Sequence, residues 1–403
     1  MSGEAGKSAQ PGPLAEWDEF LEMLRNSGRE SVAMLWDPGD ERMRLENYRY
    51  MLISLAQGFL MIFQTDPDYP DWVTFINQGF PNAGPNPDTI YWYSPIRADG
   101  TYRLSGTRGS VYYCDIQVAG GMLGMFDKPG PRLSGVDLDT IKIEADGSFE
   151  LVLSKERPSG YGGNWHPLDP RAMDICVRQV SYDWLNEVDA RIAIERLDVP
   201  AARPRVKKEQ LGAKLKQLVR YVDVWGQFWL KYTRDLRASG VINRLEQMRI
   251  GENIGGLEEQ YYYHGIYDIK PDEALIVETE VPKKCFYWNI HICDEQFLGV
   301  DWTNCQSSLN GNQALLDSDE RFRAVVAMKD PGVPNWLDTA GFSSGQFMGR
   351  WLRSDSTPLP SVKKVPLADV RKHLPADTPE MSPQERDASL RLRRKGAQLR
   401  RRW

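Results

Sequence analysis

An internal repeat constrains the fold of this chain more than any other feature of its sequence. Residues 112–118, Tyr-Tyr-Cys-Asp-Ile-Gln-Val, match residues 286–292, Phe-Tyr-Trp-Asn-Ile-His-Ile. Three further matches follow in the same order: residues 146–153 with 319–326, Asn164 and Trp165 with Asn335 and Trp336, and Arg178 with Arg350. Matches that keep one order along the chain predict a duplicated β-rich module.

The matching segment of the second copy, residues 285–293, is predicted to be a strand with two unlike faces. Alternation places Tyr287, Asn289 and His291 on one face and apolar side chains on the other. The first copy carries Asp115 and Gln117 at matching positions. A phenol, an amide and an imidazole in a row are unusual on a face that only meets water, so we expect this face to line a pocket.

The sequence predicts an α+β fold with two β-rich modules, sandwich-like or jelly-roll-like, and flanking helices. Hydrophobic spacing and turn residues divide the chain into five regions. These are an N-terminal helical region (1–85), a first β-rich module with a closing helix at 169–197 (86–205), a helical connection (206–256), a second β-rich module whose closing loop and helix extend to residue 351 (257–353), and a Pro-rich connection with a basic C-terminal helix (354–403).

Cysteine usage and the length of apolar runs predict the compartment of the protein and whether it spans a membrane. The chain has 403 residues, a net charge of −6 and five cysteines without Cys-x-x-Cys spacing. Scattered cysteines are typical of reduced thiols. The first residues lack an apolar leader segment, and no run reaches the ~18 apolar residues that span a bilayer. We therefore expect a cytoplasmic protein that does not enter a membrane.

The tail at residues 386–403 is strongly basic. Eight basic residues stand against one acid there, and the net charge of +7 leaves −13 for the remainder of the chain. One interpretation is binding to nucleic acid or acidic lipid. The other is a helix that lies on an acidic surface of its own subunit or of a neighbour. The absence of a second basic cluster favours the latter, so we expect no nucleic-acid partner.

Motifs for metals and nucleotides are absent from the sequence. The four histidines form neither His-x-His nor His-Glu-x-x-His, and no Gly-rich phosphate loop or Gly-x-Ser-x-Gly elbow occurs. We therefore expect no metal and no cofactor, although a metal bound by distant ligands stays an alternative.

Acid, base and hydrogen-bonding groups among aromatic residues are the remaining candidates for chemistry. We expect Asp88, Tyr91 and His291 to be catalytic, because a buried carboxyl, a phenol and an imidazole can exchange protons with a substrate. The alternatives are structural: Asp88 could cap or bridge a loop, and His291 could be a satisfied core residue.

A second group of residues is expected to bind the substrate. Arg178 and Tyr182 would share a face of the predicted helix at 169–197, and a structural role for the arginine is the alternative. Trp165 and Trp336 would either anchor matching corners of the two modules or line the pocket. The predicted substrate-binding residues are Tyr93, Trp165, Arg178, Tyr182, Tyr287, Asn289, Asn310 and Trp336.

Several of these motifs resemble a bacterial family catalogued as domain of unknown function 1214, with its companion region 1254. The matching segments are 86–91, 164–165 with Arg178 and 182–184, 287–290, 307–311, and 330–341 with 350–351. The resemblance implies a two-module β architecture with flanking helices, usually in an oligomer such as a dimer or tetramer. It supplies no reaction, although members accompany the catabolism of aromatic and steroid-like compounds. Many relatives look exported, and this sequence, which lacks a leader, departs from them.

From these residues we expect a cofactor-independent acid–base enzyme. The sharpest version is a lyase that cleaves a C–C or C–O bond in a bulky hydroxylated aromatic compound, such as a lignin-derived dimer. Alternatives are a hydrolase, hydratase or isomerase of aromatic or steroid catabolism, a metal-dependent enzyme on the same scaffold, and a non-catalytic protein that binds carbohydrate or aromatic ligands.

Overall fold

The structure is a computed structural model that describes residues 15–249 and 256–400. Its α-helices are α1 (Ala15–Met34), α2 (Glu41–Phe59), α3 (Lys208–Ala238) and α4 (Pro383–Leu399), and a π-helical turn at Leu60–Gln64 extends α2. Asp40 caps α2 by accepting a hydrogen bond from the backbone N–H of Met43 at 2.7 Å. Both α1 and α2 pack against α3. No described helix is both long and apolar enough to cross a bilayer.

The first module is a sandwich of two sheets. Its five-stranded sheet has the order β1-β2-β8-β4-β5, and its four-stranded sheet has the order β7-β6-β3-β9. The strands are β1 (Val73–Ile76), β2 (Thr89–Pro95), β3 (Tyr102–Thr107), β4 (Tyr113–Ala119), β5 (Arg132–Asp137), β6 (Ser148–Ser154), β7 (Asn164–Pro167), β8 (Asp174–Val180) and β9 (Arg191–Arg196).

The second module repeats this topology strand for strand. Its five-stranded sheet has the order β10-β11-β17-β13-β14, and its four-stranded sheet has the order β16-β15-β12-β18. The strands are β10 (Glu246–Gln247), β11 (Gln260–Asp268), β12 (Glu273–Glu280), β13 (Cys285–Cys293), β14 (Ser308–Asn310), β15 (Arg321–Ala327), β16 (Trp336–Asp338), β17 (Ser344–Ser354) and β18 (Ser361–Pro366). The predicted α+β fold with two duplicated β-rich modules is confirmed.

Strand register shows that the duplication extends to single residues. In the first module Arg178 is paired across the sheet with Tyr91 on one side and Asp115 on the other. In the second module Arg350 is paired with Tyr262 and Asn289 in the same way. The match between Arg178 and Arg350 in the sequence therefore reflects equivalent places in two equivalent sheets.

The two five-stranded sheets face each other across the centre of the molecule. The apolar face of β13, including Trp288 and Ile290, packs into the sandwich core of the second module. The opposite face, with Tyr287, Asn289 and His291, is also buried, because it meets the first module and not water. The polar faces of the two copies thus form the interface between modules.

The predicted helix over residues 169–197 is wrong, because that segment contains β8 and β9. Ile175 and Val177 face the core of the first module, while Cys176 is buried on the opposite side of β8. A strand that is buried on both faces lacks the apolar–polar alternation that identifies a half-exposed strand.

The closing segment of the second module is also a strand and not a helix, since β17 runs through Trp351. The second module continues to β18 at Ser361–Pro366, beyond the predicted boundary at residue 353, and β1 at Val73–Ile76 joins the first module from before residue 86.

Candidate functional site

A cavity of about 140 Å³ lies between the two five-stranded sheets and against α3. Trp225 and Trp229 from α3 and Phe75 from β1 supply aromatic wall. The polar wall comes from the facing strands: Tyr91, Gln117, Asp174, Arg178, Tyr262 and Arg350. Aromatic walls with a few convergent polar groups are typical of a small-molecule site.

The polar wall contains one tyrosine and one arginine from each copy. Tyr91 and Arg178 come from the first module, and Tyr262 and Arg350 occupy the equivalent positions of the second. Burial raises the pKa of the Tyr91 phenol, while the positive charges of Arg350 and Arg178 oppose that shift. Both arginines therefore act on the same end of the cavity, and the phenol keeps its proton at neutral pH.

Arg350 is buried, with 3% of its surface exposed, and its hydrogen bonds go to neutral acceptors. The guanidinium donates to Asn289 Oδ1, to His291 Nδ1 and to the backbone carbonyl of Gly84, each at 3.1 Å, and contacts the Met348 sulfur at 3.5 Å. No carboxylate among the described residues forms an ion pair with it. Arg350 is therefore a buried cation that the described part of the chain leaves without an anionic partner.

Arg178 has a different setting from its counterpart. It donates to Gln117 Oε1 at 2.6 Å, and that oxygen also accepts from Arg132 at 3.0 Å. Arg132 forms an ion pair with Asp115 at 3.2 Å, and the charge of Asp115 favours the protonated form of Arg178. The first copy thus has carboxylate charge close to its arginine.

Asp174 is the functional candidate that sequence reasoning missed. It lies on β8, is 2% exposed and lines the cavity, and its Oδ2 has no hydrogen-bond partner among the described residues. Burial raises the pKa of this carboxyl to about 7, against the lowering effect of Arg178 and of the Gly121 backbone N–H. Alternation along β8 would have placed Asp174 on the face of Arg178, but the segment was predicted to be helical.

His291 lies behind Arg350 and does not line the cavity. A guanidinium can only donate, so His291 Nδ1 accepts the bond from Arg350, and the neutral ring carries its proton on Nε2. Nε2 is buried without a hydrogen-bond partner among the described residues. Burial and the charge of Arg350 hold the pKa of His291 well below its ordinary value. The histidine is therefore neutral and supports Arg350.

Asp88 lies in a buried polar network and not on the cavity wall. Its Oδ2 accepts from Tyr287 Oη at 2.5 Å and Asn289 Nδ2 at 3.1 Å, and its Oδ1 accepts from Trp184 Nε1 at 2.8 Å and Asn310 Nδ2 at 2.9 Å. Four donors from both modules occupy the carboxylate, which is the environment of a structural anchor. This geometry favours the structural alternative for Asp88.

The basic tail packs on its own subunit next to this network. Three arginines spaced seven residues apart, Arg386, Arg393 and Arg400, make the contacts. Arg386 forms an ion pair with Asp330 at 2.9 Å, Arg393 donates to the Trp302 carbonyl at 2.6 Å, and Arg400 donates to the carbonyls of Pro87 and Asp88 at 2.8 and 2.6 Å. This arrangement matches the expectation of a helix lying on its own chain.

The other predicted substrate-binding residues lie outside the cavity wall. Tyr93 is buried beside Phe75. Tyr182 follows β8 and packs its ring against Tyr112 and Tyr287, so the predicted helical face shared by Arg178 and Tyr182 is wrong. Tyr287, Asn289 and Asn310 belong to the Asp88 network.

Trp165 and Trp336 hold equivalent positions on the four-stranded sheets, away from the cavity wall. The asparagine before each tryptophan makes equivalent hydrogen bonds to the backbone in the two copies. Asn164 bonds to the backbone of Lys142 and Glu150, and Asn335 bonds to the backbone of Leu315 and Arg323. These contacts favour the role of corner anchors for both tryptophans.

No group of three or more His, Cys, Asp or Glu side chains in the described ranges is arranged to hold a metal ion. The ionisable side chains that the described residues place on the cavity wall include Tyr91, Tyr262, Cys176, Asp174 and the two arginines.

Comparison with known proteins identifies solved structures that are similar to this chain. No protein-family model matches the chain, and no curated protein matches it. The chain is similar to an uncharacterized protein from Burkholderia cenocepacia of known crystal structure, with 27% sequence identity and a TM-score of 0.82 over 88% of this chain and 97% of that one. A protein from Vibrio parahaemolyticus, VPA0106, matches with 12% identity and a TM-score of 0.47 over 78% of this chain and 96% of that one. The first of these similarities supports the two-module fold.

Proposed function

We propose that this chain is a cofactor-independent acid–base enzyme, a lyase acting on a small hydroxylated aromatic compound in the cavity between the modules. The observation that carries the proposal is that two proton-transfer groups line one cavity whose other wall is aromatic. Asp174 presents an unpartnered carboxyl oxygen, and Tyr91 presents a phenol. Among the described residues, Asp174 forms no ion pair that would hold its carboxyl group.

The two groups suit opposite roles. A carboxyl whose pKa is about 7 can accept a proton near neutral pH and later return it. Tyr91 Oη accepts a hydrogen bond from the backbone N–H of Asn86 at 3.2 Å, which leaves its own proton for a substrate oxygen. In an elimination, Asp174 would take the proton from carbon, and the C–H electrons would form the double bond as the C–O bond breaks. The departing oxygen would keep the C–O electrons and receive the proton of Tyr91.

Cavity volume favours a smaller substrate than an aromatic dimer. At about 140 Å³ it is close to the ~150 Å³ of an apolar protein cavity that accommodates benzene. The reacting part of the substrate would therefore be one ring with its substituents, and the aromatic walls would exclude water from the proton transfer.

The test is turnover of a panel of single-ring hydroxylated aromatics by the Asp174→Asn and Tyr91→Phe variants, followed by mass spectrometry of the products. We expect each variant to lose about 10²–10⁴-fold in turnover, the usual size of a general acid–base contribution. Tyr93→Phe is the matched control, because Tyr93 lies two residues along the same face of β2 but outside the cavity wall, and it should keep wild-type turnover.

Wild-type turnover in both cavity variants would overturn the assignment of roles. Tight binding of panel compounds without any product would overturn the enzyme proposal and indicate a binding protein. Melting temperatures of the three variants separate loss of chemistry from loss of fold.

A further inference from the structure

We infer that the ligand of this cavity carries a carboxylate, held by Arg350 on one wall and Arg178 on the other. The inference rests on the proposed function for the identity of the site, but it concerns binding, which is measured apart from turnover.

The first observation is that Arg350 is buried without an anionic partner among the described residues. A buried guanidinium normally has a carboxylate or phosphate partner, since an uncompensated buried charge is costly. The hydrogen bonds of Arg350 satisfy its donors with an amide, an imidazole and a backbone carbonyl, none of which carries negative charge. An anionic ligand in the adjoining cavity would supply the missing charge.

The nearby carboxylate of Asp88 does not bond to Arg350 directly, because Asn289 lies between them and bonds to both. Four donors occupy its two oxygens. Arg393 and Arg400, both brought in by the C-terminal segment, feel its charge. Asp88 thus has two arginines of the C-terminal segment near it, and Arg350 lines the cavity on the other side of Asn289.

The second cation comes from the first module. Arg178 lines the same cavity at the position equivalent to Arg350, and Tyr91 and Tyr262 lie beside the two arginines. Two guanidinium groups flanked by two phenols provide charge-assisted donors for the oxygens of one planar anion.

The rest of the wall defines the body of the ligand. Phe75, Leu123, Trp225, Trp229 and Met348 present apolar surface to the cavity. A free inorganic anion would leave this surface uncovered, whereas a ring bearing a carboxylate would cover the apolar wall and reach the arginines. The ligand class is therefore a monocyclic aromatic carboxylate.

Equilibrium binding to the full chain tests this inference without turnover. Trp225 and Trp229 line the cavity, so quenching of tryptophan fluorescence, with calorimetry as a second measurement, reports occupancy. The probes are 4-hydroxybenzoate, its neutral isostere 4-hydroxybenzamide, phenyl phosphate and inorganic phosphate. We expect the carboxylate to bind at least about tenfold more tightly than the amide, the minimum for a charge-assisted hydrogen bond in a buried site.

Arg350→Gln should reduce this preference, because it should weaken carboxylate binding much more than binding of the neutral amide. Arg353→Gln is the matched control, three residues along β17, where the side chain pairs with Asp137 and Glu259 at a partly exposed position. It should keep the preference. The comparison of ligands on the wild-type protein stands even where Arg350→Gln fails to fold.

Equal affinity for carboxylate and amide, or no binding of the carboxylate, overturns the inference. Tighter binding of phenyl phosphate or inorganic phosphate than of the carboxylate also overturns it and identifies a phosphate site. Carboxylate preference with no turnover of any probe would support this inference while the proposed function fails. Turnover of neutral substrates that depends on Asp174 but not on Arg350 would support the proposed function and contradict the carboxylate inference.

Discussion

The two modules have the same strands and differ in the charges around their equivalent arginines. Arg178 has Asp115 opposite it in the sheet and Asp174 four residues before it on β8. Arg350 has Asn289 and Gln346 at those two positions. The second copy therefore has amides where the first has carboxylates. Within the described residues, the duplicated scaffold supplies two arginines to one cavity, with carboxylates at these two positions beside Arg178 and amides beside Arg350.

In the four-stranded sheets, by contrast, the two copies make the same contacts. Asn164 and Asn335 make matching backbone contacts, and Trp165 and Trp336 follow them at the same register. The corner asparagines and tryptophans are alike in the two copies, and so are the tyrosine and arginine that each copy gives to the cavity wall. The copies differ beside those arginines, where Asp115 and Asp174 of the first correspond to Asn289 and Gln346 of the second.

The largest expected effect is a difference in stability loss between alanine variants of the two corner tryptophans. Trp336 is 8% exposed and donates to the Ala327 carbonyl inside a buried cluster, whereas Trp165 is only half-buried. We expect Trp336→Ala to lower the free energy of unfolding by about 3–5 kcal/mol and Trp165→Ala to lower it by clearly less. Chemical denaturation of both variants measures the difference. Equal losses would contradict the unequal burial of the two corners.

The second effect concerns pH and Asp174. Its folded pKa of about 7 exceeds its ordinary value of 3.8, so between those values the folded state holds a proton that the unfolded state has released. The contribution of Asp174 to the free energy of unfolding therefore falls as pH rises from about 4 to 7, and it is constant above 7. The shift corresponds to a loss on the order of 4 kcal/mol, at 1.36 kcal/mol per pKa unit.

Asp174→Asn cannot ionise, so it measures this loss directly. We expect the variant to match wild type near pH 4 and to exceed its stability at pH 8. Besides burial, the groups that shift the pKa of Asp174 are Arg178 and the Gly121 backbone N–H, which both lower it. The charge of Asp174 in turn raises the pKa values of the neighbouring Tyr93 and Cys176. Asp146→Asn is the control, because hydrogen bonds from Ser148 lower the pKa of that exposed carboxyl, and its pH dependence should have the opposite sign. A constant difference between wild type and Asp174→Asn across this range would show that Asp174 is not desolvated.

The sequence was informative where a pattern was local or repeated. The two faces of β13 follow from period-two alternation, and the duplication follows from matches in one order, so both were predictable. β8 was predicted to be a helix because both of its faces are buried, and this error concealed Asp174. The partners of Asp88 were not predictable either, since Tyr287 lies 199 residues away along the chain and reaches Asp88 only through the packing of one module on the other.

The smallest expected effect tests whether the two copies are interchangeable at one position. Gln117 in the first module accepts a hydrogen bond from Arg178, and His291 in the second accepts one from Arg350. In His291→Gln the new amide oxygen can take over that bond, as Gln117 does. The lost ring is neutral, so no charge is removed from the interface.

We therefore expect His291→Gln to change stability by less than about 1.5 kcal/mol, the scale of one net hydrogen bond. The carboxylate preference and the pH–rate profile should stay as in wild type. His291→Leu is the sharper comparison, because it deletes the acceptor and leaves the Arg350 donor unsatisfied in a buried place, which should weaken carboxylate binding as well as the fold. A change in the pH–rate profile of His291→Gln, with the fold intact, would instead show that the imidazole exchanges protons with the substrate. In that case His291 would be the proton-transfer group, and Arg350 would hold the imidazole in place.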